Sequence, residues 1–250
     1  MGYRDLHTHT HFCDGSDSPE EMVIAAIERG ITTLGILAHS YVEFDKEYSV
    51  SPEREGEFIA EMARLKEKYK GKIELLCGVE ADYYATSIHQ GYDYRIGSVH
   101  YFNIDGCYYS LDISREDFIS MVNERLGGDY LSVCEEYYRL VADVIGKTQA
   151  DIIGHFDLIT KFNEGNTLFD TSDPRYICAW RTAVDALIPF GKPFEINTGA
   201  ISRGYRASPY PASDIVEYIK EKGGRFILSS DAHSKDALAY KFEDFEGIAE

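Results

Sequence analysis

Two kinds of hydrophobic pattern alternate along the chain. Short apolar runs bounded by Gly, Pro, Asp or Ser predict strands at residues 3–10, 33–39, 73–83, 94–102, 151–157, 193–198 and 225–231. Between most of them lie longer stretches with helical periodicity. Ser18-Pro19-Glu20-Glu21 reads as an N-cap, a first-turn proline and two acids that suit the positive end of a helix dipole; that helix runs to Gly30, a C-terminal stop. Further helices are predicted over 52–69, 174–189 and 212–222, and a long helical region over 115–147 is broken at Gly127-Gly128.

Strands separated by helices in this way build a parallel sheet. The expected fold is therefore α/β, a barrel of seven strands in which residues 1–250 form one domain. The connection 83–94 is short for a crossover helix, so irregular closure is expected there. No internal repeat, low-complexity segment or linker interrupts the alternation. In barrels of this kind the chemistry gathers at the C-terminal ends of the strands.

Charge narrows the choice of partner. The 250 residues carry 25 Lys plus Arg against 43 Asp plus Glu, a formal net charge of −18. Such a surface repels nucleic-acid phosphates and anionic membranes, and neither is an expected partner. A small phosphate ester remains compatible, because a bound divalent ion dominates the local field. Cys13, Cys77, Cys107, Cys134 and Cys178 are scattered, without a CxxC pair. With no secretory signal or twenty-residue apolar run, they read as reduced thiols in a cytoplasmic protein. The pattern does not indicate an oligomeric state.

The candidate chemistry appears when polar residues are placed on the predicted strands. His7 and His9 share a face of the first, because residues i and i+2 of a strand point the same way, and Asp14 follows closely. Asp231 and His233 repeat the arrangement at the last. The second strand ends in His39, the third in Glu80, the fourth in His100 and the fifth in His155. Six of the eight histidines thus fall at strand C-termini, whereas His11 and His89 read as solvent-facing. Burying so many imidazoles and carboxylates together without metal would be costly, so a metal centre with positions open to water and an anion is expected. Asp5 and Asp82 share faces with His7 and Glu80, and either orients a ligand or is ordinary polar burial. Asn197, ending the sixth strand, is a further candidate to face the site.

Taken together, Asp5-Leu-His7-Thr-His9-Thr, Asp14-Gly15, Leu37-Ala-His39-Ser40, Gly78-Val-Glu80, Gly97-Ser-Val-His100, Gly154-His155 and Ser230-Asp231-Ala-His233 resemble the PHP (polymerase and histidinol phosphatase) superfamily. Their order and spacing are most similar to the stand-alone histidinol-phosphate phosphatases of histidine biosynthesis. The resemblance spans nearly the whole chain. It implies a distorted seven-stranded (β/α)7 TIM-like barrel holding two to three divalent ions. One ion is implied on His7, His9, Glu80 and Asp231, a second on Glu80, His100 and His155 with Glu80 bridging, and a third on Asp14, His39 and His233. Mixed imidazole and carboxylate donors fit zinc, manganese or iron and argue against an all-magnesium site.

The implied reaction is hydrolysis of L-histidinol phosphate to L-histidinol and phosphate by in-line attack of a metal-bridging hydroxide. Glu80, Asp231 and His233 are the implied catalytic residues, with Asp231 or a metal-bound water as donor to the leaving alcohol. Phosphate recognition calls for cations as well. The segment after the sixth strand carries Arg203 and Arg206, and the resemblance implies a phosphate contact there, Arg203 being preferred. After the fifth strand the family carries a Gly-His-x-Asp-Leu-x-Arg kind of run; here Thr160 stands at the arginine position with Lys161 beside it. His39 is a further candidate substrate contact. A related phosphoesterase acting on another small monoester or on protein phosphotyrosine is the next reading. Nucleic-acid hydrolysis and a non-catalytic metal protein follow.

Overall fold

The computed structural model describes residues 2–46 and 48–249. Among them, β1 (Arg4–Asp5), β2 (Thr33–His39), β3 (Glu74–Asp82), β4 (Tyr94–Ser98), β7 (Ile152–Ile153), β8 (Phe194–Asn197) and β9 (Phe226–Ser229) pair in parallel, in that spatial order. The remaining strands, β5 (Tyr101–Ile104) and β6 (Cys107–Ser110), form a separate antiparallel hairpin. The parallel sheet curls into a nearly closed TIM-like barrel. Its seam is a bridge between Thr8 and Ala232, with the His9 N–H donating to the Ala232 carbonyl at 2.8 Å. Asp5 fastens the same seam: it accepts from the Ser230 N–H at 3.1 Å, the Ser230 hydroxyl at 2.5 Å and the Ala239 N–H at 2.9 Å. Of its two expected roles, Asp5 therefore takes the structural one.

The helices form where their caps place them. Ser18 and Glu21 make a reciprocal capping box at the start of α1 (Pro19–Glu28), and Gly30 follows with φ of 73°. The other principal helices are α2 (Pro52–Lys68), α3 (Arg115–Leu126), α4 (Tyr130–Thr148), α5 (Pro174–Leu187) and α7 (Ser213–Glu221). The break between α3 and α4 falls at Gly127 and Gly128, both with positive φ. Two one-turn helices, α6 (Gly199–Ser202) and α8 (Phe242–Phe245), were not anticipated.

Several strand boundaries require correction. The stretch predicted over 3–10 pairs regularly only at Arg4–Asp5, and that over 151–157 only at Ile152–Ile153. Beyond these points the chain turns to present side chains to the barrel mouth. The stretch predicted over 94–102 is divided: β4 ends at Ser98, and Tyr101 starts the hairpin. The turn of that hairpin is Asp105-Gly106, both with positive φ (53° and 85°), an Asp-Gly signal that was legible in the sequence. The short connection after β3 carries no helix, as expected.

Helices α4 and α5 cover one side of the barrel with an apolar layer that includes Tyr137, Tyr138 and Trp180, and α1 and α2 cover another with Met22, Phe58 and Met62. Inside, Leu6, Leu37, Tyr94, Ile96 and Ile152 fill the volume below the polar mouth. The Tyr94 ring fits because two strand positions are glycine. A Cβ on Gly78 would stand 2.5 Å from Tyr94 Cζ, and one on Gly35 would stand 2.0 Å from its hydroxyl. Gly78→Ala is expected to lower stability by about 1–3 kcal/mol through overpacking, read as a lower urea midpoint with an unchanged slope.

Candidate metal centre

The polar cluster sits at the C-terminal mouth of the barrel, and Glu80, at the end of β3, is its centre. Its two carboxylate oxygens face different sets of imidazoles. Oε2 lies 3.1 Å from His7 Nε2, 3.3 Å from His9 Nε2 and 3.1 Å from His39 Nδ1. Oε1 lies 2.8 Å from His155 Nε2 and 3.2 Å from His100 Nε2, and accepts from the Ser98 hydroxyl at 2.7 Å. Asp231 Oδ1 completes the first set at 3.6 Å from His7 Nε2 and 3.7 Å from His9 Nε2. Asp14 spans the outer edge, one oxygen 3.2 Å from His39 Nε2 and the other 3.0 Å from His233 Nε2. All nine candidate ligands are thus brought together.

The donor set fits divalent ions on three observations. First, His7 Nε2 and His9 Nε2 stand 3.1 Å apart, and His100 Nε2 and His155 Nε2 stand 3.3 Å apart. Two nitrogens at zinc distance on a tetrahedral ion would stand about 3.3 Å apart. Second, among the described residues buried His155 Nδ1 makes no hydrogen bond, and neither does either ring nitrogen of buried His39, although carboxylate oxygens lie 3.1–3.2 Å away. Third, compact donor groups occur at His7, His9 and Glu80; at Glu80, His100 and His155; at His9, Asp231 and His233; and at His9, Cys13, Asp14 and His39. The Cys13 thiol, 3.4 Å from His9 Nδ1, is the one unanticipated donor among them.

Electrostatics follow from this packing. Burial disfavours charge on Glu80, but His7, His100 and His39 outweigh it and hold the carboxylate well below its ordinary range. Burial is likewise outweighed at Asp231, chiefly by Arg203 and His7. Burial, with His39 and His233 nearby, pushes His9 down to about 3, so its imidazole is a neutral donor.

A second layer orients these groups, and one member was missed in the sequence. Glu195, fully buried in β8, faces His7 Nδ1 at 2.7 Å and accepts from the His155 backbone N–H at 3.0 Å. That contact turns His7 Nε2 toward Glu80. The available signal was a glutamate within the apolar run Phe194-Glu195-Ile196. Asp82 performs the same task for His100, lying 3.2 Å from its Nδ1. Asn197 does not line the cavity: it faces Glu195 and accepts from the Gly199 N–H. His11 and His89 are exposed, as expected.

A cavity of about 560 Å³ opens over the cluster. Two of the three candidate cations reach it. Arg203, just past α6, donates to the Asp231 carbonyl at 3.0 Å and to Asp231 Oδ2 at 2.9 Å. Lys161 arrives by way of a single 3-10 turn at Leu158–Thr160. Three residues per turn put positions 158 and 161 on one edge, so Leu158 and Lys161 line the cavity. Thr160, at the position where the family carries arginine, faces away. The expectation for Arg206 requires correction. It points into a separate cavity of about 170 Å³, donating to Thr160 Oγ1 at 2.6 Å and Asp157 Oδ2 at 3.3 Å, where buried Asp157 supplies its counter-charge.

This barrel and mouth define the class. Residues 5–199 match the PHP domain, and the chain belongs to that family. Within it, a Deinococcus radiodurans protein named a "probable histidinol-phosphatase" is 30% identical over 263 residues, which cover 97% of this chain and 91% of its own. A solved chain from Listeria monocytogenes, assigned as a histidinol phosphatase, has 24% identity and a TM-score of 0.83, covering 97% of this chain and 99% of its own. A Lactococcus lactis histidinol phosphate phosphatase, solved with zinc, L-histidinol and phosphate, has 20% identity and a TM-score of 0.67, covering 98% of this chain and 93% of its own. The two structures share the fold.

Replacing Glu195 with Gln removes the charge behind His7 while keeping its shape. Zinc affinity, measured by chelator competition, is expected to fall about 10-fold or more. Wild-type affinity in Glu195→Gln would show that His7 is held by other means.

Proposed function

We propose that this protein is a metal-dependent phosphomonoesterase that hydrolyses L-histidinol phosphate to L-histidinol and phosphate. The observation that carries the reading is the division of Glu80, one oxygen toward His7, His9 and His39 and the other toward His100 and His155. A carboxylate shared in this way suits two closely spaced ions. His7, His9, Glu80 and Asp231 would hold one, Glu80, His100 and His155 the second, and Asp14, His39 and His233 a third. Zinc is favoured by the imidazole-rich donors and by its presence in the Lactococcus relative; manganese and iron suit the same donors. When bound, such ions supply charge stabilisation to a phosphoryl group and acidify water.

The protein's own residues then set the geometry. Glu195 and Asp82 aim two imidazoles inward. Arg203 keeps Asp231 ionised, which suits a ligand better than a proton donor to the leaving alcohol. Lys161, which also lines the cavity, offers a second cation to the phosphate, in place of the arginine that the family carries one position earlier. The catalytic part of Glu80, Asp231 and His233 is to hold and orient. One barrel domain over residues 1–250 is sufficient for this arrangement, and five separate thiols suit the reducing cytoplasm.

A second reading, another small phosphate monoester, is supported by the same centre. Nucleic acid is disfavoured, because the cavity also carries Asp45 and Asp112, which would repel a polyanion. Among the described residues, no helix is long and apolar enough to cross a membrane.

Glu80→Gln is expected to lower kcat at least about 100-fold and to reduce metal stoichiometry. Unchanged kinetics at full metal content would refute the shared-ligand assignment. Across a panel of phosphate esters, metal-reconstituted protein is expected to favour histidinol phosphate over aryl phosphates by about 100-fold in kcat/KM. Comparable slow rates on all esters would point to a different monoester.

A further inference from the structure

Behind the two lining cations lies the smaller polar cavity of about 170 Å³, which the proposed reaction does not use. Arg206 enters it with 9% exposure, a charge that is costly to bury and that one carboxylate, Asp157, offsets. Its Nη1 donates to Thr160 Oγ1 at 2.6 Å and to Asp157 Oδ2 at 3.3 Å, and its Nη2 donates to Ser208 Oγ at 3.3 Å. The Tyr210 ring lies 4.6 Å from the guanidinium. Thr160 closes the circuit, because its hydroxyl and its N–H donate to the Asp157 carbonyl at 2.7 Å and 2.9 Å. It is thereby clamped at the end of the 3-10 turn, one residue before Lys161.

The loop that supplies Arg206 also supplies Arg203, and it is closed on itself. The Arg203 N–H donates to the Gly199 carbonyl at 3.1 Å, and the N–H groups of Tyr205 and Arg206 both donate to the Ala200 carbonyl, at 2.9 Å and 3.3 Å. Between the two arginines, the Tyr205 ring lies 4.7 Å from the Lys161 ammonium. One loop therefore meets both cations of the main cavity: it carries the first at 203, covers the second at 205 and grips the residue before it at 206. Both cations keep N–H groups for an anion. A guanidinium has five and an ammonium three, and the bonds within the protein engage only some of them. A tetrahedral oxyanion gains most from the pair when their separation is set before it arrives.

From this geometry we infer that Arg206 is a positioning residue for the phosphate group: acting across Thr160, it holds Lys161 at a fixed place relative to Arg203. Thr160, standing where the family carries arginine, serves as the grip for an arginine that arrives from another loop. The inference rests on the phosphatase reading for the identity of the anion, but its readout is oxyanion binding rather than turnover.

Arg206→Met alone would strip buried Asp157 of its counter-charge, so the principal variant is Thr160→Val, which keeps the shape and the ion pair and removes the hydroxyl. Calorimetric binding of inorganic phosphate to zinc-loaded protein is expected to weaken about 3- to 10-fold in Thr160→Val, with zinc stoichiometry unchanged. Thr160→Ser should keep wild-type affinity. Arg206→Met combined with Asp157→Asn, which removes both buried charges, is expected to weaken phosphate about 10-fold or more. In a Lys161→Met background Thr160→Val should have no further effect, whereas a general loosening of the fold would weaken binding by the same factor again. Wild-type affinity in Thr160→Val or in the paired variant, an undiminished effect in the Lys161→Met background, or loss of zinc from the neighbouring His155 overturns the inference. Turnover of histidinol phosphate by wild type is followed separately. Its absence, with phosphate binding intact and sensitive to Thr160, would remove the phosphatase reading and keep the positioning role; no phosphate binding by wild type would remove both.

Discussion

A carboxylate with almost no solvent exposure can remain ionised only if positive or strongly polar groups surround it. Glu80 meets that requirement with imidazoles from β2, from the turns after β4 and β7, and from the segment after β1. The arrangement demands a parallel barrel, because only there do the C-terminal ends of successive strands surround one point. It also demands that each ring be aimed. Glu195 behind His7 and Asp82 behind His100 do this from outside the inner ring, and Ser98 fixes one oxygen of Glu80. The apolar layer beneath, with Tyr94 seated against Gly35 and Gly78, closes the barrel below the site.

The mouth reconciles an acidic protein with an anionic ligand. Its surface charge of −18 would repel phosphate. At the cavity Arg203 and Lys161 set two cations among the lining carboxylates, each held by a nearby acidic residue, and ions bound by those carboxylates would supply the remaining positive charge. Arg203 is tied to Asp231 and Lys161 to Asp112, so each cation is oriented before any ligand arrives. Arg206 shows the other use of the same chemistry: buried beside Asp157 and Thr160, it braces the loop that carries Arg203. Two arginines three residues apart thus perform different tasks, because one side of the loop faces the cavity and the other faces the protein.

Much of this was readable in the linear pattern. Period-two placement put His7 with His9 and Asp231 with His233, and the ends of apolar runs marked His39, Glu80, His100 and His155. Caps and glycines located α1 and the break between α3 and α4. Less legible were the lengths of β1 and β7, where the buried apolar residues Leu6 and Phe156 lie past the last paired residue. The β5–β6 hairpin was missed although Asp105-Gly106 announced it, because the run from Tyr94 through Phe102 read as one strand.

What the sequence alone determined is the kind of chemistry available and the end of the barrel where it gathers, since strand periodicity and strand termini are local properties. Tertiary structure decided everything that depends on direction. It turned Lys161 into the cavity and Thr160 away, assigned Arg203 and Arg206 to opposite sides of one loop, made Asp5 a fastener of the seam, and revealed Glu195 as the partner of His7. Each of these outcomes depends on a contact between residues distant along the chain or on the rotation of a single turn. Neither is encoded in local hydrophobic spacing.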